Sequence, residues 1–242
     1  MRKVMTAFIT VALADLLGGG SLVLFGVFLF SGSLNLTDLG LNHGGVHGLD
    51  TALSLLFFIQ HSGMVRTPFR RRLERFVPGE FHGAIYAIAS GVALLVVIAF
   101  WQEGTPLFTS PSGPIRWSFR ALFFLSLIGF LWGGLSLKSF DPCGVGPLLA
   151  RLRGATPEST PFSARGPYRL VRHPLYLFSI LMIWSCPDLT TDRLLFNVLW
   201  TVWIVIGAFL EERDLVAEFG ETYLDYQRRV PMFIPGKTGV RR

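Results

Sequence analysis

Residues 165–212, RGPYRLVRHPLYLFSILMIWSCPDLTTDRLLFNVLWTVWIVIGAFLEE, run from a cluster of cations into an apolar arm, cross a Pro-Asp break, and enter a second apolar arm that ends on two carboxylates. The first arm, 174–187, is short for a full bilayer crossing, while the second, 193–211, approaches the length that one needs. Pro187 and Asp188 between them read as the turn of a tight helical hairpin. A hairpin would set the arginines at its start across from Glu211 and Glu212 at its end.

The rest of the chain fits that setting. Of 242 residues, 51% are hydrophobic and only 16% charged, with a mean hydropathy of +0.49. A soluble domain of this length needs more charged surface. Four further apolar segments lie at 5–30, 47–65, 82–101 and 117–137. The expected fold is all-α: a polytopic membrane helical bundle of five to six membrane segments, with a C-terminal helical hairpin and a cytoplasmic tail helix. The whole chain reads as one membrane domain. Its parts are an N-terminal helix and outer loop (1–46), core helices (47–137) and a C-terminal half (138–242). The Arg-Lys start before residue 5 imitates a signal peptide, but Asp15 interrupts the apolar run and no small-residue cleavage site follows, so 5–30 is expected to be a retained helix.

Lysine and arginine orient the bundle. Segments 31–46 and 102–115 contain neither, whereas 66–75 (RTPFRRRLER) and 138–173 are rich in them. Placing both termini in the cytoplasm leaves only Arg116, Arg120 and Arg193 of the 22 basic residues outside. The net charge of +6 is therefore a matter of topology and does not point to nucleic acid. A membrane without organellar targeting is most simply a bacterial inner membrane. Soluble nucleotide-binding motifs and metal-binding motifs are absent: no G-x-G-x-x-G after a strand, no Walker loop, no H-E-x-x-H and no C-x-x-C. Cys143 and Cys186 lie far apart. Gly18-Gly19-Gly20 inside the first apolar segment suits close helix packing.

Three constellations remain. In the first, Pro174 suits the first turn of a helix, with His173 near its N-cap and Arg169, Arg172 and Tyr176 around it. Such a helix start attracts anions, although Arg and Tyr also anchor helices at a membrane interface. In the second, Glu212, Leu215, Phe219, Tyr223 and Tyr226 are spaced to share one helical face. Glu211 and Glu212, at a membrane boundary, call for cationic partners unless they are simply solvated. In the third, Gln60, His61 and Ser62 end the second apolar segment. At least one of them points into the bundle, to orient a substrate, accept a proton or form an interhelical hydrogen bond. Asp50 lies toward the outer side and is assigned no catalytic role.

GPYRLVRHPLY followed by LEERDLVAEFGETYLDYQRRVPMFIP resembles the isoprenylcysteine carboxyl methyltransferase superfamily of integral-membrane methyltransferases. IQHSGMVRTPFRR (59–71), SFD (139–141) and VPMFIP (230–235) are most similar to its bacterial methanethiol S-methyltransferase branch. The resemblance spans about residues 50–236. It implies a C-terminal hairpin that encloses S-adenosylmethionine, with Tyr168, Arg172, His173, Pro174, Tyr176, Glu211, Glu212, Tyr223 and Tyr226 around the cofactor. It further implies an acceptor that is small or lipophilic, most simply a thiol, and that arrives from the lipid. Carboxylates such as Glu212 suit the cofactor's amino group, Arg172 its carboxylate, and tyrosines its adenine and sulfonium. Arg172, Glu212 and His61 are the candidate catalytic residues, with His61 or His173 to assist a thiol. Phe178 departs from the family, which usually has glycine there, and is expected to fill part of the cofactor's space. EFHG at 80–83 departs from the thiol branch as well. Methylation of a lipid amine, carboxylate or isoprenoid, nicotinamide-dependent reduction on a related scaffold, and a non-catalytic role stay open on this reading.

Overall fold

The six apolar segments become helices close to where the hydropathy places them. The computed structural model describes residues 2–137, 140–155 and 162–236. Ser139 of the SFD motif, and 156–161 within the Gly/Pro/Ser-rich loop, lie outside the described residues. The helices are α1 (Arg2–Leu13), α2 (Gly20–Ser31), α3 (His43–Val65), α4 (Thr67–Leu73), α5 (His82–Phe100), α6 (Gly113–Ser136), α7 (Gly146–Leu152), α8 (Pro174–Ile183), α9 (Thr191–Phe219) and α10 (Glu221–Arg229). A π-helical segment, Ala14–Gly19, joins α1 to α2 without a break. Two short strands, Leu107–Thr109 and Leu189–Thr190, are the described β structure.

Among the described residues, four helical stretches are long and apolar enough to cross a membrane: Val4–Ser31, Gly79–Phe100, Gly113–Ser136 and Thr191–Phe219. Their outward faces are themselves apolar, with Leu16 70%, Val23 72% and Leu135 86% exposed. Such surfaces belong against lipid. The chain is an integral membrane protein built as a helical bundle.

The fold divides into two compact units. The first comprises residues 1–108, 141–159 and 190–196; the second comprises 109–140, 160–189 and 197–242. In the first unit, the π segment packs on α5 so tightly that a Cβ at Gly91 would lie 2.2 Å from the Leu17 carbonyl oxygen, and one at Gly18 would lie 3.2 Å from the Ala87 Cβ. Of the GGG stretch, Gly18 thus serves close helix packing, whereas a Cβ at Gly20 would meet nothing within 4 Å. Away from the basic loops, Phe28, Trp101 and Phe196 pack edge to face. The Arg193 guanidinium sits over two of these rings and donates to the carbonyls of Phe28 (3.2 Å) and Leu29 (2.8 Å) near the C-terminus of α2. A cation there meets the negative end of the helix dipole. Asp192 accepts from the Trp101 indole (3.0 Å) and the Gly104 amide (2.9 Å), and buried Asp50 accepts from the Gln102 amide (3.0 Å). Arg193, which the charge pattern sets among the outer cations, is therefore an interior cap on α2.

In the second unit, α8 and the part of α9 from Asn197 onward run as the two arms of the expected hairpin, but not a tight one: α8 packs chiefly on α6. The first arm is shorter than its apolar run: α8 stops at Ile183, and Trp184 to Cys186 lie in the turn region before Pro187. Ten residues of helix rise about 15 Å, half a hydrocarbon core. By contrast, the 29 residues of α9 rise about 43 Å, enough to carry Glu211 to Phe219 beyond the apolar layer. Trp184 donates to Thr201 across the hairpin (3.0 Å), and Arg116 of α6 binds Asp188 through both of its terminal nitrogens (2.8 and 2.7 Å).

Phe178 does not take the place expected for it. Its ring seats in a hollow on α6 where a Cβ at Gly129 would come within 2.4 Å, while Leu175 occupies the hollow left by Gly133. The glycine missing from α8 is thus matched by glycines on the facing helix.

Candidate active site

Arg172 and His173 are fixed by backbone before their side chains act. The Arg172 amide donates to the Pro231 carbonyl (2.8 Å) and the His173 amide to that of Met232 (3.2 Å), so the VPMFIP segment lies along the start of α8. Pro174 opens that helix with His173 as its N-cap residue, and no side chain caps it. The imidazole is free to reach α9: Nε2 lies 3.1 Å from Glu212 Oε1, and Nδ1 lies 3.6 Å from Glu211 Oε2. Tyr176 stacks on the imidazole with centroids 5.4 Å apart.

The Arg172 guanidinium is largely used within the protein. Nε donates to Glu212 Oε1 (2.5 Å) and one terminal nitrogen to Glu212 Oε2 (3.2 Å). The other donates to the carbonyls of Gln227 (3.1 Å) and Val230 (2.6 Å). Glu212 also accepts from the Gln227 amide (2.9 Å). Both members of the ion pair are mostly buried, and its hydrogen bonds are well satisfied, the condition under which a buried pair is tolerable.

The expected single helical face from Glu212 to Tyr226 is in fact two helices. Gly220, at φ +55° and ψ −131°, ends α9 and turns the chain into α10. L side chains resist that conformation. The turn brings Tyr223 and Tyr226 back over the hairpin mouth, where the Tyr226 hydroxyl donates to the Tyr168 carbonyl (2.5 Å). Phe162 packs among Phe219, Tyr223 and Tyr226 with centroids 5.1–5.5 Å away. Burial pushes the Tyr168, Tyr223 and Tyr226 phenols up; the Glu211 charge adds to this at Tyr168, and the Glu212 charge at Tyr223. All three remain neutral donors at physiological pH.

These elements enclose a cavity of about 540 Å³. Of the residues singled out by sequence, Tyr168, Arg172, His173, Tyr176, Glu211, Leu215, Phe219, Tyr223 and Tyr226 line it. Pro174 and Glu212 do not: Pro174 starts the helix, and Glu212 lies behind Arg172. Of the adjacent pair Glu211 and Glu212, it is Glu211 that faces the space. His61 belongs to the first unit, where Nε2 lies 2.7 Å from the Tyr86 hydroxyl and Nδ1 3.2 Å from the Ser90 hydroxyl. Sequence reading missed Ser136, Leu137, Phe162, Leu175 and Glu218, which also line the cavity. Glu218 was accessible, being two helical turns from Glu211 on the same face. Phe162 was not, because a lone aromatic in a Gly/Pro/Ser-rich loop carries no periodicity.

The fold defines a polytopic membrane protein with a cavity at the mouth of a helical hairpin. No family model matches the chain, and no solved structure does. Curated proteins do match. A methanethiol S-methyltransferase from Pseudomonas sp. is 38% identical over 194 residues, 80% of this chain and 75% of the relative. One from Mycobacterium tuberculosis is 33% identical, covering 74% of each chain. Nurim from Mus musculus is 28% identical over 69% of this chain and 66% of its own. The chain belongs to the methanethiol S-methyltransferase family, within the isoprenylcysteine carboxyl methyltransferase-like group of membrane proteins.

Proposed function

We propose that this chain is a membrane methyltransferase that uses S-adenosylmethionine to methylate a small thiol. The observation that carries the reading is the cavity itself, which gathers aromatic and charged side chains around about 540 Å³, inside the range of small-molecule sites. Phe162, Phe219, Tyr223 and Tyr226 suit the flat adenine and a cation, by stacking and cation–π attraction. His173, Glu211 and the N–H of Arg172 not used within the protein suit the amino-acid end. When bound, the cofactor supplies an electrophilic methyl group on a sulfonium. The protein's contribution is positioning: packed aromatics and a pinned tail would fix the cofactor's end of an in-line arrangement.

Arg172 and Glu212 then act by holding the tail over the cavity. The thiol acceptor is favoured by the relatives' printed activity. A thiol reacts as its thiolate, and His61, with Tyr86 and Ser90 at hydrogen-bond distance, is the residue we assign to acceptor deprotonation. Residues 1–242 are read as one membrane domain in a bacterial inner membrane, with both termini cytoplasmic on the strength of the basic loops.

The test is incubation of the purified protein with methyl-labelled S-adenosylmethionine and a panel of thiols, lipid amines and prenyl-cysteines. Label in a volatile thioether supports the proposal. Label in lipid or prenyl-cysteine alone, or in no acceptor, overturns it.

A further inference from the structure

The charges that line the cavity do not balance. Arg172, His173, Glu211 and Glu218 are the charged or titratable acid–base residues on its wall, beside the tyrosines. Arg172 is already neutralised by Glu212, which lies behind it at 2.5 Å. Glu211 keeps 47% of its side chain exposed, with His173 Nδ1 at 3.6 Å. Glu218 is exposed and has no ion-pair partner among the described residues. The Phe219 and Tyr223 rings add the negative faces of their quadrupoles to the same wall.

We propose that Glu211 and Glu218 make this cavity select the cationic sulfonium donor over its neutral thioether product. This rests on the cavity being the S-adenosylmethionine site. Donor and product share adenine, ribose, ammonium and carboxylate. They differ by one methyl group and one positive charge. Contacts to the shared parts hold both alike, including any contact between Glu211 and the ammonium. The charge is read by a field acting at the sulfur, and uncompensated carboxylates with aromatic faces provide one. When the methyl group leaves, the remaining ligand loses its share of that attraction, so release of the product is favoured by the same side chains that hold the donor.

Calorimetric titration of the detergent-purified chain with S-adenosylmethionine and with S-adenosylhomocysteine tests this. The donor is expected to bind more tightly than the product. The ratio of the two Kd values should fall about threefold or more in Glu211→Gln/Glu218→Gln, the scale of a unit charge some 6 Å away in water-like screening. Raising salt should narrow the ratio in the unsubstituted protein, a readout that does not depend on whether the variant folds. A ratio unmoved by salt overturns the inference, as does a ratio unmoved in a folded double variant. Absence of binding by either ligand overturns the proposed cofactor site itself, and the selection with it.

Discussion

Arg172 ties three parts of the chain together: the start of α8, Glu212 on α9, and the carbonyls of Gln227 and Val230 at the end of α10. A lysine ammonium has too few and too compact donors to serve all three. Arg172→Ala leaves Glu212 mostly buried without its main cation, and is expected to cost about 3 kcal/mol of stability in denaturant or thermal unfolding. Arg172→Lys should recover less than half of that loss. A fully stable Lys variant would mean that the charge alone is needed. Phe178 gives a contrasting expectation. Its ring fills a hollow on α6 at Gly129, and packing between membrane helices rests on such contacts. Phe178→Ala should lower stability by about 1–2 kcal/mol and leave cofactor Kd unchanged. A Kd changed more than threefold would place the ring in the ligand's way after all. At this scale the sequence conveyed residue types better than pairings. RHP and EE were legible as a site, but which glutamate faces the cavity depends on a rotation of α9 that spacing does not encode.

Among the elements, the turn at Gly220 decides whether α10 covers the cavity. Its φ of +55° and ψ of −131° lie in a region almost reserved for glycine, so Gly220→Ala is expected to cost about 1–3 kcal/mol and to weaken cofactor binding by displacing Tyr223 and Tyr226. Calorimetry alongside unfolding separates the two effects, and unchanged values in both would make the turn incidental. The other end of the hairpin is held by Asp188, whose carboxyl is kept below the usual range chiefly by its hydrogen bond to Arg116, with Ser110 adding to it against a modest burial cost. A depressed folded-state value means the contribution is present above the unfolded value near 4 and is lost as pH falls through the folded one. Both side chains are about one-third exposed, so Asp188→Asn should cost less than about 1 kcal/mol at pH 7. That difference should shrink as pH falls below 4, as thermal midpoints at pH 7 and in acid would reveal. A gap that persisted there would assign the effect to packing. The hairpin and its short first arm were legible from Pro187 and the apolar lengths, whereas the break at Gly220 was hidden because the apolar spacing continues through it.

For the molecule as a whole, hydropathy was enough to give the membrane helices, since lipid leaves the backbone few alternatives. It could not give the interior use of Arg193, whose sequence position resembles a loop cation but whose guanidinium caps α2 between two rings. Nor could it foresee that the cavity draws on Ser136 at the end of α6 and Phe162 far along the chain, since such convergence depends on tertiary packing. The space beneath α10 is where we place the methyl donor. Ultraviolet cross-linking of labelled S-adenosylmethionine, followed by peptide mapping, tests that placement most directly. Label is expected in the segments 162–176 and 211–226, competed away by unlabelled cofactor. Competable label confined to other segments would contradict it.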